Sequence, residues 1–238
     1  MKRRIAMTKP TCPFVKVCCI ASIEEAWLAI ASGASALGLV SEMPSGPGVI
    51  EDSEIARIAA AVPPPIATFL LTAFQEADAI IEQHMNCRTT TIQLVDHVSR
   101  SELVKLRKRL PGIKLVQVIH VAGEDSLEEA RSVSQFVDVL LLDSGNQTLP
   151  IKELGGTGRT HDWRLSRRIC SESSVPVFLA GGLRATNVEE AISLVMPFGL
   201  DLCSSVRTEG KLDKEKLQTF MAAVAAAPQY SYPAQNQA

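Results

Sequence analysis

The chain has 238 residues, with 24 Lys and Arg against 26 Asp and Glu, a formal charge of −2, 46% apolar residues and 21% charged. This is the make-up of a globular protein long enough to bury a full core, and it leaves no global basic field for holding nucleic acid or an anionic membrane; small anionic substrates stay open. The six cysteines, at positions 12, 18, 19, 87, 170 and 203, form no CxxC pair, which argues against a zinc site or a disulfide scaffold and for a reducing, cytoplasmic setting.

Residues 1–13 read as an N-terminal extension, positively charged but without the apolar core of a signal peptide. No run approaches the roughly 18 apolar residues of a membrane span. Short β-rich apolar runs then predict strands over 14–19, 35–40, 66–71, 90–95, 114–120, 137–143, 175–180 and 199–203. Apolar residues three and four apart predict helices over 23–32, 52–61, 73–84, 99–109, 126–135, 162–170, 187–195 and 213–223. Asp52, Ser126, Asp162 and Asp213 are the candidate N-caps, because a short side-chain oxygen satisfies the free amides of a first turn. Runs such as Val137-Asp-Val-Leu-Leu-Leu142 have the continuous apolar character of parallel strands covered on both faces. Eight strand–helix units over 14–224 fit a single α/β domain, a (β/α)8 TIM barrel. An open doubly wound sheet would want a Gly-rich turn after its first strand, where this chain has Cys18-Cys19. The polar stretch 225–238, with prolines 228 and 233, is expected to be a disordered tail.

Active sites in such barrels are built at the C-terminal ends of the strands. Here those ends are Cys18 and Cys19, the loop 41–48, Thr72, Asp96 and His97, His120, Asp143, Gly181-Gly182 and Ser204-Ser205. Phosphate in these folds often sits on the loops after strands seven and eight, so Gly181, Gly182, Ser204 and Ser205 are the candidate phosphate ligands, with close backbone approach and hydroxyl donors. Asp143 is either a general acid at the barrel mouth or a turn aspartate. Cys18 is either a base or nucleophile of lowered pKa or a small core residue. Gly155-Gly-Thr-Gly158 with Arg159 is a cradle able to close over a ligand or a plain connector, and His120 is a candidate donor or proton carrier.

Several stretches, in this order, resemble the phosphoribosylanthranilate isomerase family of tryptophan biosynthesis over about residues 15–224. They are Lys16-Val-Cys18 with Ile20, Ile92-Gln-Leu94, Leu140-Leu-Leu-Asp-Ser144, Gly155-Gly-Thr-Gly-Arg-Thr-His-Asp-Trp163, Leu179-Ala-Gly-Gly-Leu183 with Asn187-Val-Glu-Glu-Ala191, and Gly199-Leu-Asp201 leading into Ser204. The resemblance implies an Amadori rearrangement of an N-linked aminoaldose phosphate without metal or organic cofactor. It puts the general base on Cys18 and the general acid on Asp143, with substrate contacts on Gln93, His120, Gly156, Gly158 and Arg159.

The chain also departs from the family pattern. Gly48 stands where the family has an arginine for the anthranilate carboxylate, Cys19 replaces a glycine, Val95-Asp96 replaces His-Gly, and Cys203-Ser-Ser-Val-Arg207 replaces Ser-Ser-Gly-Val-Glu. Arg159, His120 and Arg207 are the candidates to restore the lost charge. Two other functions fit the same residues: an isomerase of this type acting on a different phosphorylated sugar derivative, and a non-catalytic paralogue that keeps a phosphate site. In each case the expected partner is a small phosphorylated sugar, with neither nucleic acid nor membrane, and the protein is a monomer or a homodimer.

Overall fold

Alternation along the strands divides the interior into two concentric layers. Leu37 and Leu39, Ile92 and Leu94, Leu140 and Leu142, and Leu200 and Leu202 point outward and form one apolar cluster with the helices. Cys18, Ala36, Val40, Phe69, Leu71, Val116, Val118, Leu141 and Phe178 point inward and form a second cluster, with the Phe69 and Phe178 rings 6.4 Å apart. Strands buried on both faces have no polar side to spare, which is why they read as continuous apolar runs.

The computed structural model describes residues 12–145, 149–156 and 158–228. Strands β1 (Phe14–Val17), β2 (Ala36–Val40), β3 (Ala67–Thr72), β4 (Thr91–Leu94), β5 (Lys114–His120), β6 (Val139–Asp143), β7 (Val177–Leu179) and β8 (Gly199–Leu202) form a closed parallel barrel in sequence order. It closes where β8 pairs with β1, with Lys16 opposite Asp201 and Val17 opposite Leu202. Helices α1 (Ile23–Ala31), α2 (Asp52–Ala61), α3 (Ala77–Cys87), α4 (Arg100–Arg109), α5 (Asp125–Val133), α6 (Trp163–Glu172), α7 (Val188–Val195) and α8 (Lys214–Ala226) follow the strands in turn. The expected (β/α)8 barrel is therefore the fold. No described helix is long and apolar enough to cross a membrane.

The differences lie at element ends. Asp162 and Asp213 cap α6 and α8, accepting from Arg164 N and from Glu215 N and Lys216 N. Asp52 and Ser126 do not cap their helices: the N-cap positions fall on Glu51 and Glu124, and both oxygens have other partners. Asp52 lies inside α2 and accepts from Gln83 Nε2 at 3.2 Å, while Ser126 Oγ bonds Ala122 N and the His120 carbonyl. A 3₁₀ turn (Ser204–Val206) and a small hairpin of β9 (Arg207–Thr208) and β10 (Lys211–Leu212) separate β8 from α8; the hairpin has no periodic signal. The expected end of the barrel at 224 is passed by α8, with Val224 and Ala227 both packed in the core. The rest of the expected tail, 229–238, lies outside the described residues, as do residues 1–11 of the expected extension.

Candidate active site

Inward alternation places Lys16 and Cys18 on the same face of β1, two residues apart. Lys16 is completely buried, and its Nζ bonds Asp201 Oδ2 at 2.8 Å across the β1–β8 pairing. Gly38 on β2 leaves the room they share: a methyl there would stand 2.7 Å from Cys18 Sγ and 3.0 Å from Lys16 Nζ. Burial opposes the Lys16 charge, yet the Asp201 carboxylate outweighs it and raises the lysine pKa. A hydrogen bond from the Cys19 thiol lowers the Cys18 pKa, against burial and with the help of the Lys16 charge. Cys19 is correspondingly pushed well above the ordinary thiol value, so Cys18 is the residue of the pair that ionises.

The Cys18 end of β1 is held from behind. Its N–H donates to the Leu202 carbonyl at 2.8 Å, and Arg207 donates to the carbonyls of both Cys18 and Cys19. The Arg207 guanidinium is itself gripped by both carboxylate oxygens of Glu25, each at 3.1 Å. Arg207 thus serves the backbone of the site.

Asp143 ends β6 in the same cavity, with Oδ1 accepting from Ser144 N at 2.7 Å. Two glycines let the backbone crowd its carboxyl: a methyl on Gly155 would be 2.9 Å from Oδ2, and one on Gly181 would be 3.2 Å from Oδ1. Gly181 and Gly182 have φ of +80° and +62°, the left-handed region that glycine adopts without strain. Asn187 fixes this turn by donating to Gly182 O and accepting from Arg184 N. Facing it, Ser205 Oγ is buried without a partner. Gln93 is buried on β4 with Oε1 unpartnered.

One cavity at the C-terminal mouth of the barrel is lined by Cys18, Cys19, Gln93, Asp143, Gly156, Gly158, Gly181, Gly182, Asp201, Cys203, Ser204 and Ser205, with the loop from Met43 to Pro47 and Leu154 closing over it. The candidate base, acid and phosphate ligands are brought together there. His120 and Arg159 are not among the lining residues. His120 bonds the Val95 carbonyl at 3.0 Å and is covered by the Gly145 backbone, while Arg159 pairs with Glu153. Among the described residues, the cavity lining holds no Lys, Arg or His. Two features of the mouth were not anticipated from sequence. The Lys16–Asp201 pair lies under the thiol, and Lys152 has its ammonium on Asp96 Oδ2 while its carbonyl accepts from Ser45 Oγ at 2.6 Å. Both join elements remote in sequence. The available signal for the first was a lysine in phase with Cys18 inside an apolar strand.

The model of the N-(5′-phosphoribosyl)anthranilate isomerase family matches residues 15–223. The chain belongs to the N-(5′-phosphoribosyl)anthranilate isomerase family. Among similar members, N-(5′-phosphoribosyl)anthranilate isomerase 2 of Methanosarcina mazei is 34% identical over 209 residues, covering 87% of this chain and 92% of its own length. The isomerase of Nostoc punctiforme is 34% identical over 205 residues, with coverage of 85% and 94%. The crystal structure of the phosphoribosylanthranilate isomerase from Thermotoga maritima superposes with a TM-score of 0.77 at 27% identity, over 90% of this chain and 98% of that one. A structure of a phosphoribosylanthranilate isomerase in complex with reduced 1-(o-carboxyphenylamino)-1-deoxyribulose 5-phosphate gives 0.74 at 26% identity, with the same coverage. This isomerase is an enzyme of tryptophan biosynthesis.

Proposed function

We propose that Cys18 is the general base and Asp143 the general acid in the isomerisation of N-(5′-phosphoribosyl)anthranilate. The observation that carries this assignment is the ionisable thiol of Cys18 over the Lys16 ammonium, in one cavity with the Asp143 carboxyl. Asp143 protonates the ribose ring oxygen as the substrate nitrogen donates its lone pair, and the C1′–O bond breaks to give a Schiff base. Cys18 then takes the proton from C2′, and its electrons move to the nitrogen, giving an enolamine that tautomerises to the aminoketose. Gly181, Gly182, Ser204 and Ser205 hold the phosphate; two left-handed glycines and the unpartnered Ser205 hydroxyl support that reading. Gln93, Gly156 and Gly158 contact the rest of the substrate.

The substrate also carries a carboxylate, and the cavity wall offers it no cation. We assign that role to Lys152, which Ser45 ties to the mouth of the cavity and which is 38% exposed, free to exchange Asp96 for the substrate. Thiols without disulfide partners agree with a cytoplasmic setting.

The test follows the loss of phosphoribosylanthranilate fluorescence, with the substrate made in situ from anthranilate. The wild-type chain is expected to turn over, and Cys18→Ala and Asp143→Asn each to lose at least about a hundredfold in kcat while keeping the fold by circular dichroism. Full turnover by either variant would remove its residue from the chemistry.

A further inference from the structure

Two sulfurs in the cavity wall lie closer together than proton transfer requires. Cys19 Sγ and Cys203 Sγ are 2.7 Å apart, inside van der Waals contact and short of the roughly 2.0 Å of a disulfide bond. The barrel brings them together: β1 and β8 pair with Val17 opposite Leu202, so the residues just beyond each strand sit on adjacent chain ends.

The Cys19 backbone is held on both sides. Cys19 has φ +63°, a strained conformation for a residue with a side chain, which persists only where the surroundings enforce it. Gly48 presses on it from outside, since a methyl there would stand 2.4 Å from Cys19 Cβ, and Arg207 holds its carbonyl from within. Cys203 is partly exposed to the cavity and Cys19 is buried behind it. Neither has a part in the proton transfers assigned above. Among the described residues, no group of three or more His, Cys, Asp or Glu side chains is arranged to hold a metal ion.

We propose that Cys19 and Cys203 are a reversible dithiol–disulfide pair, and that its oxidation by a peroxide slows the isomerisation. The thiolate of Cys203 attacks one peroxide oxygen; an S–O bond forms, the O–O bond breaks, and hydroxide leaves and takes up a proton as water. The Cys19 sulfur then attacks the Cys203 sulfur; the S–S bond forms, the S–O bond breaks, and the departing hydroxide leaves with the Cys19 proton as a second water. One peroxide is reduced to two waters while two thiols are oxidised. The new bond takes away the S–H with which Cys19 stabilises the Cys18 thiolate, leaving the base to Lys16 in its favour and to Asp201 and its own burial against it. This last consequence rests on Cys18 being the base.

The experiment treats the purified full-length chain with one equivalent of hydrogen peroxide and reads mass, free thiols and turnover together. The expected result is a loss of two hydrogens, a peptide joining Cys19 to Cys203, and a fall in free thiols from the six of the reduced chain to four. Turnover should fall severalfold as the Cys18 thiolate loses that hydrogen bond, and dithiothreitol should restore everything. Cys203→Ser, and Cys19→Gly as a second variant that suits the left-handed φ, should lose no mass and keep whatever turnover they have. A Cys18–Cys19 link, oxygen added to Cys18 without a crosslink, a crosslink that leaves turnover unchanged, or equal inactivation of Cys203→Ser would each overturn the proposal. If the reduced chain fails to isomerise the substrate while the crosslink forms and reverses, the catalytic reading falls and the cysteine pairing stands.

Discussion

An ammonium taken wholly out of water carries a desolvation cost of several kcal/mol, which only a well-placed opposite charge offsets. Lys16 has that partner in Asp201 at 2.8 Å, and its charge in turn favours the Cys18 thiolate. Lys16→Met is expected to leave Asp201 buried and unpaired, lowering stability by roughly 3–5 kcal/mol in chemical denaturation. Asp201→Leu combined with Lys16→Met should recover much of that loss. Neither variant has the positive charge beside Cys18, so the pH midpoint for its alkylation by iodoacetamide should move up in both; Lys16→Arg should hold it down. An unmoved midpoint in the folded Lys16→Met variant, which keeps Asp201, would show that the lysine only fills space. Lys152 makes a separate prediction, since a charge-assisted hydrogen bond contributes about 1.5–3 kcal/mol. Lys152→Met should raise KM for phosphoribosylanthranilate roughly ten- to a hundredfold with kcat nearly unchanged, and should leave KM for the carboxylate-free aniline analogue where it was. That Cys18 and Asp143 would meet at one mouth of the barrel was legible from the strand ends. Lys16 and Lys152 were not legible as site residues, because a lone lysine in a sequence does not show which remote carboxylate it meets.

At the scale of elements, periodicity located the eight barrel strands and their eight helices because the barrel buries its strands on both faces and its helices on one, and each burial pattern has its own spacing. The caps expected of Asp52 and Ser126 differ because each lies inside its helix with its oxygen on another group, Gln83 for Asp52 and the β5–α5 corner for Ser126. The Gly181-Gly182 turn after β7 is set both locally and by its neighbour. Gly182 is left-handed, and a methyl on it would meet the Arg159 backbone at 2.7 Å. Gly182→Ala is therefore expected to lower stability by roughly 1–3 kcal/mol and to raise KM more than it lowers kcat, read from thermal melts and steady-state kinetics. A melt unchanged from wild type would mean that the 158–160 backbone gives way freely.

For the whole molecule, the two concentric layers divide the labour. The outer layer, apolar contact between strands and helices, holds the barrel closed; the inner layer turns polar toward one mouth, where Lys16, Asp201, Cys18 and Asp143 are gathered. The fold class was readable from the count and alternation of units alone. The contacts that fasten the cavity wall were not, since they form where distant loops touch, as Ser45 touches Lys152 and Cys19 touches Cys203.

The Arg207 clamp has one more consequence, for a chain still being made. Cys18 is made long before the residues that fix it: Asp201 under Lys16, Leu202 on the Cys18 amide, and Arg207 on its carbonyl. A nascent chain therefore carries this sulfur without its neighbours until the last barrel strand docks, and on the role proposed for Cys18 that docking completes the base.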